Sequence, residues 1–220
     1  MNLPPMHDRE SMDHMFDDED DDDDFPWPWV TNTAPVGVPV ENNGAIFTPP
    51  ELLIQSVVTL GEKATDGQLI EAVTIPWFEI VKWVEKDPRA IYQFDWRRWE
   101  EIIAGAYKAQ GYTVILTPRS NDGGRDVIAT RDDLGSIRII EQVKAYAPKN
   151  LVTANDVMAL IGVMHSEPNV SKAILTTTSD FAPGVYNDPR IQQYTPTRLQ
   201  LRSGNQLREW LGAAARTRSR

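Results

Sequence analysis

The sequence predicts an α/β fold: a mixed sheet flanked by helices, with a small N-terminal helical region and a disordered acidic tail before it. Three observations predict it. A chain of 220 residues is long enough for one domain with a real core plus appendages. Charge is segregated, because residues 1–24 hold 11 of the 32 acidic side chains and 1 of the 22 basic ones (Arg9), leaving 21 of each sign beyond them. From residue 95 the hydrophobic period switches between helical and strand-like, in the order α-β-β-β-α-β-(β)-α.

The elements follow in order. Residues 1–45 read as a disordered acidic tail and Pro-rich linker. FDDEDDDDDF repels itself and cannot build a core, and FPWPWVTNTAPVGVPVENNG is extended linker. The tail is either a solubilising segment or one that contacts a basic surface of this protein or a partner, with Trp27 and Trp29 as anchors. Residues 46–90 read as a small helical region. Thr48-Pro49-Pro50 resembles a helix start, followed by Leu52, Leu53, Val57 and Leu60. Asp66-Gly67 breaks the run, Pro76 starts a second helix carrying Phe78, Val81, Trp83 and Val84, and Asp87-Pro88 ends it.

Residues 91–213 form the main domain. Asp95 caps a helix with the stripe Trp96, Trp99, Ile103 and Ala106, and Gly111 stops it. YTVILT is a strand, PRSNDGG a turn, RDVIAT a strand, RDDLGS a turn and IRIIEQVKAY a third strand. A helix over 153–165 carries Val157, Leu160, Ile161 and Met164 at i, i+3, i+4, i+7. KAILTT is a short buried strand and RLQL a last one. Ser203-Gly-Asn-Gln206 reads as a capping box for a helix with Leu207, Trp210 and Leu211. Residues 214–220 form a basic tail containing Arg216, Arg218 and Arg220. His165, ending its helix, suits a dipole partner better than a catalyst.

Composition narrows the function. The chain has no cysteine, which excludes disulfides and thiolate-bound zinc. It has no apolar run of about 20 residues, so no membrane span is expected. MNLPPMHDRE lacks the basic start and apolar core of a secretory signal, and the cytoplasm is the expected location. A net charge of −10 argues against a DNA partner only until the tail is set aside. The balanced remainder can carry a local basic cleft, which is all that phosphate contact requires.

The chemistry concentrates at two strands. Asp126 opens the second strand just after Gly123-Gly124, which permit a tight backbone and close ligand approach. Gln142 and Lys144 lie two apart on the third strand, hence on one face, with Glu141 and Val143 on the other. If the two strands pair as a hairpin, Asp126 sits beside Gln142 and Lys144. An Asp, a second oxygen ligand and a Lys suit phosphodiester hydrolysis, because two oxygens hold a hard divalent cation and the ammonium offsets charge on phosphate. Glu100 lies about 70° from the centre of its helix's apolar stripe and can point inward over the sheet, whereas Glu101 faces solvent. The bland alternative has Asp126 capping a turn and Lys144 snorkelling at a strand end.

A resemblance bears on that choice. FDWRRWEEIIAGAYKAQGYTVILTPRSNDGGRDVIATRDDLGSIRIIEQVKAY resembles the catalytic domain of Mrr-like restriction endonucleases, within the PD-(D/E)xK nuclease superfamily. The matching features are Glu100 on the helix, Gly111-Tyr112, the Asp122-Gly123-Gly124-Arg125-Asp126 turn and Gln142-Val143-Lys144-Ala145-Tyr146. The likeness continues in order through LVTANDVMALIGVM, SKAILTTTSDFAPGV and RLQLRSGNQLREWL. It implies a restriction-endonuclease-like fold and Mg²⁺-dependent cleavage of double-stranded DNA, with Mn²⁺ able to substitute. It implies a role in defence against foreign DNA or in DNA processing. By position it implies metal binding by Asp126 and Gln142, catalysis by Lys144, and a supporting, metal-binding role for Glu100.

The superfamily more often has Glu or Asp where this chain has Gln142, although many Mrr-like members resemble it in having Gln. Glu141 substitutes only if the strand bulges. Ala145 stands where a basic residue is common. The alternative reading is therefore a catalytically weak or inactive DNA-binding module on the same fold. Arg119 and Arg125 are expected phosphate contacts. Thr177 and Ser179 are either DNA-facing hydroxyls or ordinary strand-and-turn residues. Cutting both strands calls for two active sites, which a homodimer would supply.

Overall fold

The computed structural model describes residues 40–42, 45–47, 49–120, 123–133, 135–167 and 169–217. The acidic block with Trp27 and Trp29, Thr48, Asp122, Arg218 and Arg220 lie outside them. Two short strands, β1 (Val40–Asn42) and β2 (Ala45–Phe47), pair antiparallel in a ribbon of their own. The linker reading to residue 45 is corrected there. Asn43-Gly44 between them is a strong hairpin signal that the Pro-rich composition overshadowed.

Seven further strands form one mixed sheet in chain order: β3 (Val58–Ala64), β4 (Gly67–Val73), β5 (Thr113–Leu116), β6 (Val127–Asp132), β7 (Ser136–Lys144), β8 (Lys172–Thr177) and β9 (Leu199–Arg202). Neighbours from β3 to β7 pair antiparallel, and β7–β8 and β8–β9 pair parallel. The parallel pair β7–β8 needs a crossover, and helix α4 (Ala154–Ser166) supplies it.

The helical expectation for 46–90 is thus half wrong. Helices α1 (Pro49–Ile54) and α2 (Ile75–Lys86) exist, but the residues between them are the β3–β4 hairpin, which extends the sheet. Its sequence hides the strand period. β3 is an edge strand with only Val58 buried, and Leu60 is exposed. Pairing with β5 decides the conformation, and Asp66-Gly67 closes the hairpin instead of breaking a helix.

Helix α3 (Trp96–Ala109) starts where expected: Asp95 accepts from the Arg98 N–H at 2.7 Å, and Gly111 beyond its end has φ +87°. Short helices α5 (Pro183–Asn187) and α6 (Pro189–Gln192) fill the stretch before β9. Helix α7 (Gly204–Thr217) continues through part of the expected basic tail, because Ala213–Ala215 are strong helix formers and Ala214 is buried. Gln206 reaches back to the Ser203 N–H at 2.9 Å, one half of the expected capping box.

Strand alternation sorts the core into two layers. Val127, Ala129, Ile139, Val143 and Ile174 face α2, α3 and α7. Ile128, Ile140, Ala173 and Leu175 face α4, α5 and α6. On the first face Trp77 of α2 lies against Gly105 of α3 and donates its indole N–H to the Ile102 carbonyl at 2.8 Å. Among the described residues, no helix is long and apolar enough to cross a membrane.

Candidate active site

The β6–β7 hairpin brings the three residues singled out on these strands together. Its register runs from Val127 opposite Glu141 to Asp132 opposite Ser136, so Asp126 falls opposite Gln142. Alternation from Ile128 and Ile140 puts Asp126, Gln142 and Lys144 on the α4 face. Asp126 is 9% exposed, and its Oδ2 accepts the Val143 N–H at 2.6 Å, the amide between Gln142 and Lys144. Its own N–H donates to the Glu141 carbonyl at 2.9 Å, and its carbonyl accepts the Thr117 N–H at 3.0 Å. Asp126 is therefore fixed beside the C-terminal end of β7, its backbone bonded on both sides and its carboxylate held by the Val143 N–H.

The preceding loop explains the two glycines. Gly123 and Gly124 have φ of +65° and +78°, a region that L side chains rarely adopt. A Cβ on Gly124 would stand 3.0 Å from Val163 of α4. The turn that delivers Asp126 is thus pressed against the helix.

Gln142 carries the most informative atom. Its Oε1 is buried and has no hydrogen-bond partner among the described residues. Buried amide oxygens are nearly always paired, so this one is left for a partner that the described residues do not supply. Beside a carboxylate it has the chemistry of a hard-cation ligand. The donor set is sparse, because no three His, Cys, Asp or Glu side chains gather around one point among the described residues. A divalent ion of the Mg²⁺ type tolerates that, since it keeps waters and takes substrate phosphate as ligands.

Lys144 ends β7 with its Nζ 3.7 Å from Asp156 Oδ1 on α4. Sequence reasoning missed Asp156, although the signal was present: Thr153-x-x-Asp156 is a capping box. Thr153 N–H donates to Asp156 Oδ2 at 2.9 Å, and the Asp156 N–H donates back to Thr153 Oγ1. Burial would raise the Asp156 pKa, but hydrogen bonds from Thr153 and the Lys144 ammonium outweigh it and hold it lowered. The Lys144 carbonyl is pinned too, accepting from Tyr146 N–H, Thr177 Oγ1 and Thr178 N–H.

Thr177 and Ser179 turn their hydroxyls inward. Both are buried. Thr177 Oγ1 bridges the Lys144 carbonyl and the Ser179 N–H, and Ser179 Oγ donates to the Pro148 carbonyl at 3.2 Å. They brace the end of β7. Of the two expected phosphate contacts, Arg119 is exposed, whereas Arg125 is half-buried with its Nη1 2.7 Å from Glu167 Oε1.

Glu100 approaches from the other layer. It is 2% exposed on α3, and Arg97 Nη1 joins its Oε2 at 2.7 Å to the Thr117 carbonyl at 2.9 Å. Since Thr117 also binds the Asp126 carbonyl, Glu100 stands at the Asp126 end of the sheet. Glu101, expected to face solvent, is half-buried and pairs with Arg98, which also donates to the Leu52 carbonyl.

Glu141 has a different task. The β6–β7 register continues to it without a bulge, so it stays on the opposite face. Fully buried, it accepts from the Tyr107 and Thr176 hydroxyls and from Arg202 Nη1 at 2.8 Å. Arg202 in turn lies over the Trp210 ring at 3.8 Å. Burial and then the Glu141 charge push the Tyr107 pKa well up. Burial would lower the Arg202 pKa, but Glu141 and Tyr107 together outweigh it and hold it raised. Glu141 is unavailable as a substitute ligand.

The chain belongs to the Mrr catalytic-domain family, described as restriction endonuclease, which matches residues 91–211, more than half of the chain. It is 28% identical over 99 residues to the uncharacterized protein y4cE of Sinorhizobium fredii, covering 44% of this chain and 25% of that protein. Among solved structures it resembles the restriction endonuclease FokI at a TM-score of 0.45 and 14% identity, covering 68% of this chain and 28% of that one. It also resembles MspJI restriction endonuclease in complex with a 27-mer oligonucleotide, at 0.42 and 16%, covering 68% and 33%. The DNA modification-dependent restriction endonuclease AspBHI matches at 0.41 and 18%, covering 75% and 42%. The chain thus spans a quarter of the length of the curated relative and less than half of each of these solved chains.

Proposed function

We propose that this protein is a metal-dependent DNA endonuclease that hydrolyses phosphodiester bonds in double-stranded DNA, in defence against foreign DNA or in DNA processing. The observation that carries the reading is the pairing of a fixed carboxylate with an unsatisfied oxygen. Asp126 is locked between Gln142 and Lys144 through the Val143 amide, while Gln142 Oε1 is buried without a partner among the described residues. Asp126 and Gln142 hold the cation, with Glu100 in support from α3. When bound, Mg²⁺ or Mn²⁺ supplies polarisation of a phosphate oxygen and a lowered pKa for water. Lys144 keeps its Nζ donors over the same face and offsets charge developing on the phosphate. Asp156 orients that ammonium from α4. Arg119, exposed at the same end, contacts the DNA backbone, and a homodimer supplies the second active site that a double-strand break needs.

One observation favours a second reading, a DNA-binding module with weak or no catalysis: Asp126 is joined by a neutral amide, with no cluster of three acidic or imidazole ligands among the described residues. Plasmid nicking separates the two. With Mg²⁺ or Mn²⁺ the wild-type chain is expected to nick supercoiled DNA. Asp126→Ala and Lys144→Ala should each slow it by about a hundredfold or more, with thermal midpoints retained. Nicking at one rate by all three preparations would mean a contaminant and end the enzyme reading. DNA binding without nicking would establish the second.

A further inference from the structure

Trp96 differs from the other exposed apolar side chains in the direction its helix gives it. At about 100° per residue, Trp96 lies on the same side of α3 as Ile103 and Tyr107, with Trp99 and Glu100 flanking that line. Those four residues are buried, whereas Trp96 is 48% exposed. A residue on the core-facing side of a helix stays uncovered when the sheet has ended beneath it. That is the case here. Arg97, the next residue, reaches the Thr117 carbonyl just past the end of β5, and the Thr117 N–H binds the Asp126 carbonyl. The first turn of α3 therefore overhangs the end of the sheet where Asp126 sits. Pro118, Arg119 and Ser120, which follow Thr117, are also exposed. Trp96 and Arg119 are thus both exposed at the end of the sheet that holds Asp126, Trp96 on the α3 side.

We propose that Trp96 is a DNA-contact residue whose indole stacks on a base next to the scissile phosphate. The proposal rests on the nuclease reading and adds a substrate preference to it. Every base offers a π-face, so stacking on an aromatic side chain is tolerant of sequence. Inside an intact duplex that face is covered by neighbouring pairs. The strand that suits Trp96 has an accessible base, as in a gap, a mismatch or a single-stranded segment, where unstacking costs least.

The test uses the full chain carrying Lys144→Ala, so that no cutting intrudes, and two fluorescent oligonucleotide probes of equal length. One is a perfect duplex and the other contains a short central gap. Anisotropy titration should show tighter binding to the gapped probe. Adding Trp96→Ala should weaken gapped-probe binding roughly tenfold and leave the duplex and the salt slope nearly unchanged. Trp96→Phe, which keeps a π-face, should recover most of the loss. Trp96→Ala binding both probes like its parent would overturn the proposal, and so would an equal loss on both. If neither the parent nor the wild-type chain in Ca²⁺ binds either probe, the nuclease reading falls with it. If the parent binds both probes and Trp96→Ala changes neither affinity, the nuclease reading stands and this proposal alone fails.

Discussion

Two consecutive residues of β7 meet opposite fates. Glu141 faces α3 and α7, where two hydroxyls and the Arg202 guanidinium surround its carboxylate. Gln142 faces α4, and its buried amide oxygen has no partner among the described residues. The charged group is the satisfied one, and the neutral group is the one left wanting. The first face is finished by the fold itself: a buried charge must be completed internally or it destabilises the core. The second face holds a buried oxygen without a partner among the described residues, beside a carboxylate held by the Val143 N–H, and under the proposed function a cation completes it.

Breaking the finished face should have the largest effect. Arg202→Met leaves Glu141 buried and uncompensated, and removing one partner of such a pair costs about 3–5 kcal/mol. Urea unfolding should show the midpoint falling accordingly, and Glu141→Leu in the same chain should restore most of it. If the single substitution proves harmless, Glu141 is not held as described. Gln142→Leu sharpens the comparison from the other face. It removes an oxygen that folding leaves unpaired, so stability should be unchanged or rise by about 1 kcal/mol, while Mn²⁺ binding measured by calorimetry is lost. A large fall in stability would mean that the amide is structural after all.

A smaller effect is expected where α4 meets Lys144. Thr153→Ala removes the cap of α4 and one anchor of Asp156, at a cost of about 1 kcal/mol. The associated pH dependence has a definite sign. The Asp156 pKa is lowered on folding, so its contribution is full above the unfolded value of about 4 and is lost as pH falls through the folded one. The stability gap between wild type and Asp156→Asn should therefore close in acid. A gap independent of pH would place the interaction elsewhere.

The parts of the fold legible in sequence were those with local signatures. Asp95 and Gly111 bracket α3 by capping chemistry, KAILTT matches β8 to the residue, and the i, i+3, i+4, i+7 stripe of α4 is its buried face. The β3–β4 hairpin was not legible, because an edge strand with a single buried residue shows no alternation. Trp96 belonged to the apolar stripe of its helix by period, yet it is half-exposed. Periodicity reports which side of a helix faces inward and not where the layer beneath it stops.

For the site, the sequence by itself determined which face of β7 carries Gln142 and Lys144, since strand alternation is a covalent consequence of backbone geometry. It also determined that a glycine pair precedes Asp126 and that the motif order is that of the Mrr family. Only the tertiary structure decided that Glu141 is bound by Arg202, 61 residues away, that Thr177 and Ser179 turn inward, and that Lys144 meets Asp156. Those outcomes depend on strands and helices brought together from distant parts of the chain. A hydroxyl or carboxylate follows whichever partner the packing brings within about 3 Å, and that partner is not written in its neighbours.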